Sequence, residues 1–404
     1  MISAMCLTGP IAFLPAEAFS QDRPVDVPET MVEAFEPEGI RVQPFILRPR
    51  VTADVRYDTN IYNQPNHTSD TVAVVRPSIR LSSDFSRHAL EVRASAEGRR
   101  YFETGAENSN QWSVQADTKL DLAERYFIST TIGEARRIER RGTFGDQFAT
   151  DEPVSYNEFG ARLQFGRSGG IVDWRVDAAT RKLTYHDAQL DGVTLDQSSR
   201  DVRRDSLAAR VGYRSSPALG FFMRVSGNRL RYDVNPVRNS QGFSVLAGID
   251  YEVSDLVNVE AGAGYVLQNS DDPSESDIKA VDFNLQATWT PTARTKFGLR
   301  VEREVERSPF ENTSSILRTT FAANASTAIG SRLLIGIEAG LVRNDYKGID
   351  RTDTRYFAEA TARYQLTPHL AAFAGAGVRK QDGSGLGARS YDGASIRAGI
   401  SFVL

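Results

Sequence analysis

Residues 45–58 have the sequence FILRPRVTADVRYD, in which apolar and polar side chains alternate. One register runs from Phe45 to Tyr57 and is apolar, and the other runs from Ile46 to Asp58 and is mostly charged. Successive side chains of a β-strand point to opposite faces, so a period of two is typical of a strand. The segment therefore predicts a strand with one face in an apolar environment and one face in a polar environment.

The same alternation recurs to the end of the chain. It is clearest in nine further segments, residues 112–122, 207–213, 243–251, 257–267, 281–289, 295–301, 333–341, 356–366 and 396–404. Strands of ~9–11 residues with their connectors would give about 18 strands, within a range of 16–18.

The connections between these segments alternate between short and long. Short polar turns are predicted at residues 122–125, 167–170, 215–217, 253–255, 290–293, 330–332 and 367–369. Longer polar stretches lie near residues 58–70, 139–153, 185–204, 231–241, 268–278, 343–353 and 379–390. Short periplasmic turns and long extracellular loops are typical of a bacterial outer-membrane barrel. The predicted fold is all-β, a transmembrane antiparallel β-barrel located in the cell outer membrane of a Gram-negative bacterium.

Composition supports a barrel over a helical membrane protein. Hydrophobic residues make up 40% of the chain and the mean hydropathy is −0.37. No stretch beyond residue 20 approaches the ~20 apolar residues that a spanning helix needs. A barrel strand turns only every second residue to lipid, so its average hydropathy stays low. The 48 basic and 52 acidic residues give no net charge that would favour nucleic acid.

Three regions are predicted along the chain. Residues 1–20 are interpreted as a signal peptide, because the small residues of Ala-Phe-Ser at 18–20 have the spacing of a cleavage site. The only cysteine, Cys6, would leave with it. Residues 21–43 are predicted to be a flexible periplasmic segment too short for a plug domain, and residues 44–404 the barrel.

Two features suggest how the barrel meets the membrane and its assembly machinery. Gly399, Phe402 and Leu404 are spaced like a C-terminal signal for the barrel-assembly machinery, although the chain ends in Leu rather than an aromatic residue. Aromatic residues of the apolar register cluster beside the short turns and predict an interfacial girdle next to outer-membrane lipid and lipopolysaccharide. They are Phe45, Tyr126, Phe165, Tyr213, Phe221, Tyr251, Trp289, Phe297, Tyr364 and Phe402.

A motif near the start of the chain consists of Tyr57, Asp58, Asn60, Tyr62, Asp70 and Pro77. It resembles the opening of the putative β-barrel porin 2 family. The resemblance is specific over the first third of the chain and rests on strand pattern beyond it. It implies an outer-membrane barrel, and many members are associated with exopolysaccharide synthesis and export.

The polar register contains the candidate lumen-lining residues, Arg48, Arg50, Arg56, Arg175, Arg210, Arg300 and Arg363. Such arginines could attract an anionic solute or polymer. They could equally pair with acidic residues on neighbouring strands and stiffen a wetted wall. The glycines at 262, 264, 375 and 377 are interpreted as inward positions with little bulk.

No catalytic or cofactor motif is recognised. The four histidines, His67, His88, His186 and His369, fall on different strands and ends, so we expect no enzyme. Asp187 and Asp191 near His186 could hold a cation, but an acidic loop is the commoner explanation. No metal, cofactor or nucleic acid is expected.

Three functions remain open. The first is a passive conduit for an extracellular polysaccharide, with a periplasmic co-export protein as a possible partner. The second is a general or anion-selective porin, and the third is a plugged structural or adhesive barrel. A loop folded inward would favour the porin, and a wide lumen would favour the polysaccharide conduit. Tight packing of the lumen would favour the structural barrel. The oligomeric state is left open.

Overall fold

The computed structural model describes residues 37–122, 125–142, 150–274, 277–307 and 315–404. The predicted signal peptide, with Cys6, and residues 21–36 lie outside this part of the chain. None of the helices in the described ranges is long and apolar enough to cross a membrane.

Eighteen strands of the described ranges form a closed antiparallel barrel. The first seven are β2 Phe45–Asp58, β3 Asp70–Ser83, β4 His88–Tyr101, β5 Ser109–Asp121, β6 Tyr126–Ile138, β7 Ser155–Arg167 and β8 Val172–Tyr185. The other eleven are β11 Val202–Arg214, β12 Leu219–Tyr232, β13 Ser240–Ser254, β14 Val257–Ser270, β15 Ile278–Thr292, β16 Thr295–Arg307, β17 Ser315–Ile329, β18 Leu333–Tyr346, β19 Arg351–Thr367, β20 Leu370–Gly385 and β21 Tyr391–Val403. The predicted fold class is confirmed.

Three short strands stand outside the ring. β1 Ile40–Val42 forms a hairpin with β2, and β9 Ala188–Leu190 pairs with β10 Val193–Leu195 inside a long loop. Residues 40–42 belong to the segment predicted to be flexible. Backbone pairing holds them on β2, and Arg41 forms a 2.5 Å ion pair with Asp84 in the neighbouring turn.

The first and last barrel strands close the ring. β2 pairs with β3 on one side and with β21 on the other, with Ala53 opposite both Val75 and Ile400. Each of the eighteen strands therefore has two hydrogen-bonded neighbours, and the sheet has no open edge. Closure matters in a bilayer, because no water is present there to satisfy edge N–H and C=O groups.

The two faces of the sheet have opposite character. Outward residues are apolar and exposed, as in Val55, Leu207 and Ile396, which are 49%, 59% and 62% exposed. Inward residues include buried charges, such as Asp54 and Arg397, which are 4% and 6% exposed. A soluble protein would bury the apolar residues and expose the charges. The inverted pattern is that of a barrel whose outer wall contacts lipid.

The connections differ in length between the two ends of the barrel, called here the turn end and the loop end. At the turn end the strands are joined by two to four residues, as between β11 and β12 or β17 and β18. At the loop end the first, third and fourth connections span residues 59–69, 139–154 and 186–201. This asymmetry agrees with the predicted alternation of short turns and long loops.

The last two connections at the loop end are shorter than predicted. β18 continues to Tyr346 and β19 begins at Arg351, although residues 343–353 were expected to form a loop. Likewise β20 continues to Gly385 inside the predicted loop at 379–390. Ladder pairing continues here, but neither face of the strand is apolar. Without an apolar register, the alternation that marks a strand disappears from the sequence while the strand persists.

Candidate functional site: the lumen and its loop end

All seven candidate arginines lie on the inward register, but they do not form a free cationic lining. Arg210 donates to Asp250 at 2.6 Å and its guanidinium lies 4.2 Å from the ring of Phe222. Arg48 donates to a serine hydroxyl at 2.9 Å. Arg175 and Arg300 lie 3.7 and 3.8 Å from Asp177 and Glu302, respectively, and Arg56 is 4% exposed. Arg50 and Arg363 are half-buried on the same register.

Ion pairs run across the wall from one strand to the next. On β2–β4, Arg76 contacts Asp54 and donates to Glu97 at 2.6 Å. Glu97 also accepts from Arg99 at 2.7 Å and from Arg140 at 3.2 Å. Burial lowers the pKa of Arg140, which lies beyond β6, to about 10, so this guanidinium keeps its charge at neutral pH.

The same arrangement continues around the barrel. Glu158 on β7 accepts from Arg181 at 2.7 Å and from Arg137 at 3.3 Å. On the opposite side, Arg397 on β21 donates to Glu359 on β19 at 2.8 Å. Most of the inward positive charge is therefore compensated within the wall. Of the two interpretations from the sequence, this geometry favours cross-strand pairing over a lining that concentrates anions.

At the loop end, the first, second and third connections pack together inside the barrel. Arg141 of the third connection forms a bidentate pair with Glu107 of the second, with nitrogen–oxygen distances of 2.7–3.1 Å. Its carbonyl oxygen accepts from the Asn63 side chain of the first at 2.7 Å. Asn63 and Glu107 are only 2% and 5% exposed, so this cluster is dry. A buried charge of this kind persists only when it is paired.

Gly142 of the third connection contacts strands on the far side of the lumen. Its carbonyl oxygen accepts hydrogen bonds from Arg355 on β19 at 2.7 Å and from the Tyr391 hydroxyl on β21 at 3.4 Å. The third connection leaves β6, which is seven strand pairings from β19 in the ring of eighteen. The φ angle of Gly142 is +71°, and a Cβ atom added to Gly142 would lie 2.2 Å from the Cβ atom of Asn63. Glycine is thus required where the loop crosses the lumen.

The family-motif residues shape this end of the barrel. Asn60 is fully buried and donates to the carbonyl oxygens of Gln64 and Asp392, both at 2.7 Å. Arg379 donates to the Asp58 carboxylate at 2.7 Å and also contacts Asn60 and Asn63.

The other four motif residues have different surroundings. Asp70 accepts backbone hydrogen bonds from Thr71 and Thr104, at 2.6 and 2.9 Å. Burial raises the pKa of the Tyr62 phenol in the first connection. Tyr57 points outward and Pro77 faces Val51 in the ladder. The motif therefore fixes the first connection against its neighbours rather than forming a reactive site.

Sequence reasoning missed a set of inward tyrosines at the last strand residues before the loops. Tyr185 ends β8, Tyr232 ends β12 and Tyr346 ends β18, and all three are buried. An arginine covers each ring, at 4.1, 4.3 and 4.8 Å from the ring centre: Arg200 and Arg238 from the loops that follow, and Arg351 from the first position of β19. Such cation–π contacts hold the loops inward. The signal is visible in the sequence as an inward tyrosine followed by an arginine in the loop or at the start of the next strand.

The histidines do not form a common site. His67 and His186 lie in loops, and the His369 Nδ1 atom at the turn end is 2.9 Å from a backbone carbonyl oxygen. In the described ranges, no three His, Cys, Asp or Glu side chains are placed to hold a metal ion. That the protein is not an enzyme stays a prediction.

The predicted aromatic girdle and C-terminal signal lie at the turn end. Trp289 and Phe297 are exposed and stacked, with ring centres 4.8 Å apart. Phe402 points outward and is 43% exposed. Gly399 faces inward, and an added Cβ there would lie 2.4 Å from the carbonyl oxygen of Ala53. Leu404 donates its backbone N–H to Pro49. Recognition of these residues by the assembly machinery stays a prediction.

The sequence matches the family described as putative beta-barrel porin 2 over residues 33–403. No curated protein matches it. Among solved structures, it is similar to the siderophore receptor PirA from Acinetobacter baumannii, with 6% identity and a TM-score of 0.46, covering 88% of this chain and 80% of that one. It is also similar to OccAB4 from the same species, with 11% identity and a TM-score of 0.45, covering 89% of this chain and 98% of that one. A third similar structure is the FrpB iron transporter from Neisseria meningitidis, with 8% identity and a TM-score of 0.42, covering 88% of this chain and 82% of that one.

Proposed function

The chain belongs to the putative beta-barrel porin 2 family, and from that premise we propose that it is a passive outer-membrane channel for small hydrophilic solutes. The long loops would face the cell exterior and the turn end the periplasm. The described residues 139–142 of the third connection would narrow the outer end of the lumen.

The observation that carries this proposal is the inward path of the third connection to Arg355 and Tyr391. A loop that folds into a wide barrel reduces its cross-section and sets an upper limit on solute size. The Gly142 carbonyl oxygen accepts one hydrogen bond from a neutral hydroxyl, with a net stability of about 1 kcal/mol, and one from a charged guanidinium, with about 1.5–3 kcal/mol. Such contacts can constrict the lumen without making the loop immovable.

Polysaccharide export remains the alternative that the family resemblance favours. A threading polymer would require the third connection to leave the lumen, because the loop and the chain would compete for the same space. Sugar rings often stack on exposed aromatic faces, yet the rings of Tyr185, Tyr232 and Tyr346 are already covered by arginines. The geometry therefore supports small solutes better than a polymer.

Single-channel conductance of the purified barrel in a planar bilayer tests the proposal. The R355M/Y391F variant removes both donors to the Gly142 carbonyl. Lys380→Gln is the matched control, since this lysine lies on the neighbouring strand β20 and its exposed side chain points outward. We expect steady conductance from the wild type and at least a roughly twofold increase in the double variant, with no change in the control.

The outcomes separate the three functions. Reversible block of wild-type conductance by acidic oligosaccharides added from the periplasmic side would favour the polymer conduit over a small-solute channel. If neither the wild type nor the double variant conducts, both transport functions are excluded and the plugged structural barrel is the remaining function. Folding of each variant is checked beforehand by its altered migration on unheated gels, so that loss of current is not confused with misfolding.

A further inference from the structure

A row of basic side chains crosses three adjacent strands on the outward face near the loop end. Lys182 on β8 stands opposite Arg203 on β11, and Arg203 stands opposite Arg231 on β12. Their side chains are 47%, 51% and 51% exposed. Arg229 lies on the same face two residues before Arg231 and is also exposed. We call Lys182, Arg203 and Arg231 the basic row.

The carboxylates next to the basic row neutralise only part of its charge. Asp205 lies 2.9 Å from Arg203 and 3.8 Å from Arg231, and Asp233 lies 3.1 Å from Lys182. Asp201 also interacts with Lys182, so with Arg229 included four basic groups share three acidic neighbours and one positive charge stays uncompensated. Like charges directly opposite each other in a ladder are destabilising. The arrangement therefore favours an external anion that lies along the row.

The height of the basic row places it at a membrane interface. On β11 the outward residues between Leu207 and Tyr213 are apolar, and Tyr213 lies in the aromatic girdle at the turn end. Arg203 is ten residues before Tyr213. A strand crosses the hydrocarbon layer in ~9–11 residues. If Tyr213 marks one interface, Arg203 and its neighbours reach the other, where lipid headgroups begin.

We propose that the basic row binds the phosphate groups of lipid A, the phosphorylated glycolipid of the outer leaflet. The inference rests on the outer-membrane placement made under the proposed function, but not on what the channel conducts. Guanidinium groups bind phosphate oxygens through paired, charge-assisted hydrogen bonds. Clusters of Lys and Arg at a membrane surface bind anionic headgroups, with each residue adding to the affinity. The occupant is a lipid because the row continues an apolar, outward-facing band that its acyl chains would cover.

The test measures binding of purified barrel in neutral detergent to bisphosphorylated lipid A, followed by native mass spectrometry and titration. The row variant K182Q/R203Q/R231Q removes the three charges. The control variant R136Q/R343Q/K380Q removes three outward, exposed basic residues from the same end on non-adjacent strands. Both variants are first shown to fold and to conduct like the wild type.

We expect the row variant to bind lipid A at least about tenfold more weakly than the wild type, and the control to stay within about twofold. Dephosphorylated lipid A should bind the wild type as weakly as lipid A binds the row variant. An equal loss of lipid A affinity in the two variants would show that binding depends on the total charge at the loop end rather than on the basic row, and would overturn the assignment. So would unchanged binding in the row variant, or displacement of lipid A by millimolar inorganic phosphate. A non-conducting wild type that still shows these differences would refute the channel but keep the lipid site.

Discussion

Arg76 shows how the inward face tolerates so many charges. Its guanidinium lies between Asp54 and Glu97 on the two neighbouring strands and contacts both carboxylates. The Asp54 side chain is completely buried, and a buried carboxylate without such a partner would lose several kcal/mol of hydration. Cross-strand neighbours on one face lie close enough to pair directly, so the wall satisfies its own charges. The arginines were identified from the sequence, but their partners depend on register, which the sequence pattern does not give.

Gly264 gives a test at the scale of a single residue. The sequence interpretation assigned it and Gly377 to inward positions with little bulk. The structure separates them, because an added Cβ at Gly264 would lie 1.9 Å from the carbonyl oxygen of Val245, whereas at Gly377 the nearest atom is 3.6 Å away. We expect Gly264→Ala to lower the free energy of unfolding by about 1–3 kcal/mol, as overpacking does.

The matched control is Gly377→Ala, for which we expect a change within about 0.5 kcal/mol. Reversible urea unfolding in detergent micelles, followed by tryptophan fluorescence, measures both variants. Equal losses would mean that inward bulk, rather than contact with the neighbouring backbone, makes glycine necessary.

At the scale of the strand, local alternation was enough to predict most elements. A strand between lipid and water must be apolar on one register only, and this pattern is contained within ten residues of sequence. The loops lack such a local signal. Arg141 pairs with Glu107, which is 34 residues away, and Gly142 accepts from Arg355, which is 213 residues away. Contacts of this range follow from closure of the whole barrel, so their positions could not be predicted from the pattern.

Adjacent positions on β11 test which face of the strand meets lipid. Leu207 points outward and is 59% exposed, whereas Ala208 points inward and faces Asp177 and Ser226. We expect Leu207→Arg to lower the free energy of unfolding from lipid vesicles by about 2–4 kcal/mol, since it places a charge in hydrocarbon. Ala208→Arg should cost much less, because its guanidinium would lie on the polar inward face beside Asp177 rather than in hydrocarbon. A larger loss for Ala208→Arg would assign the two faces the other way round.

At the scale of the whole molecule, closure joins the two ends of the described chain. Thr52 on β2 and Ser401 on β21 are neighbours although 349 residues separate them. The lumen exists only once these strands pair, so folding and formation of the lumen are one event. The same closure brings acidic and basic residues from all eighteen strands around one lumen. The ion selectivity of the proposed channel is thus expected to follow the summed wall charge, which the compensating pairs keep small.

Ion selectivity tests whether this wall lines the conducting path. Arg300 and Glu302 lie two residues apart on β16, with side chains 36% and 34% exposed to the lumen and 3.8 Å between their charged groups. We expect weak selectivity in the wild type, a shift towards cations in Arg300→Gln and a shift towards anions in Glu302→Gln, because each change leaves the opposite charge uncompensated. The zero-current potential across a potassium chloride gradient, at low ionic strength where screening is weak, measures both shifts. Shifts of the same sign, or none in a barrel that conducts, would show that ions take a path that does not pass β16.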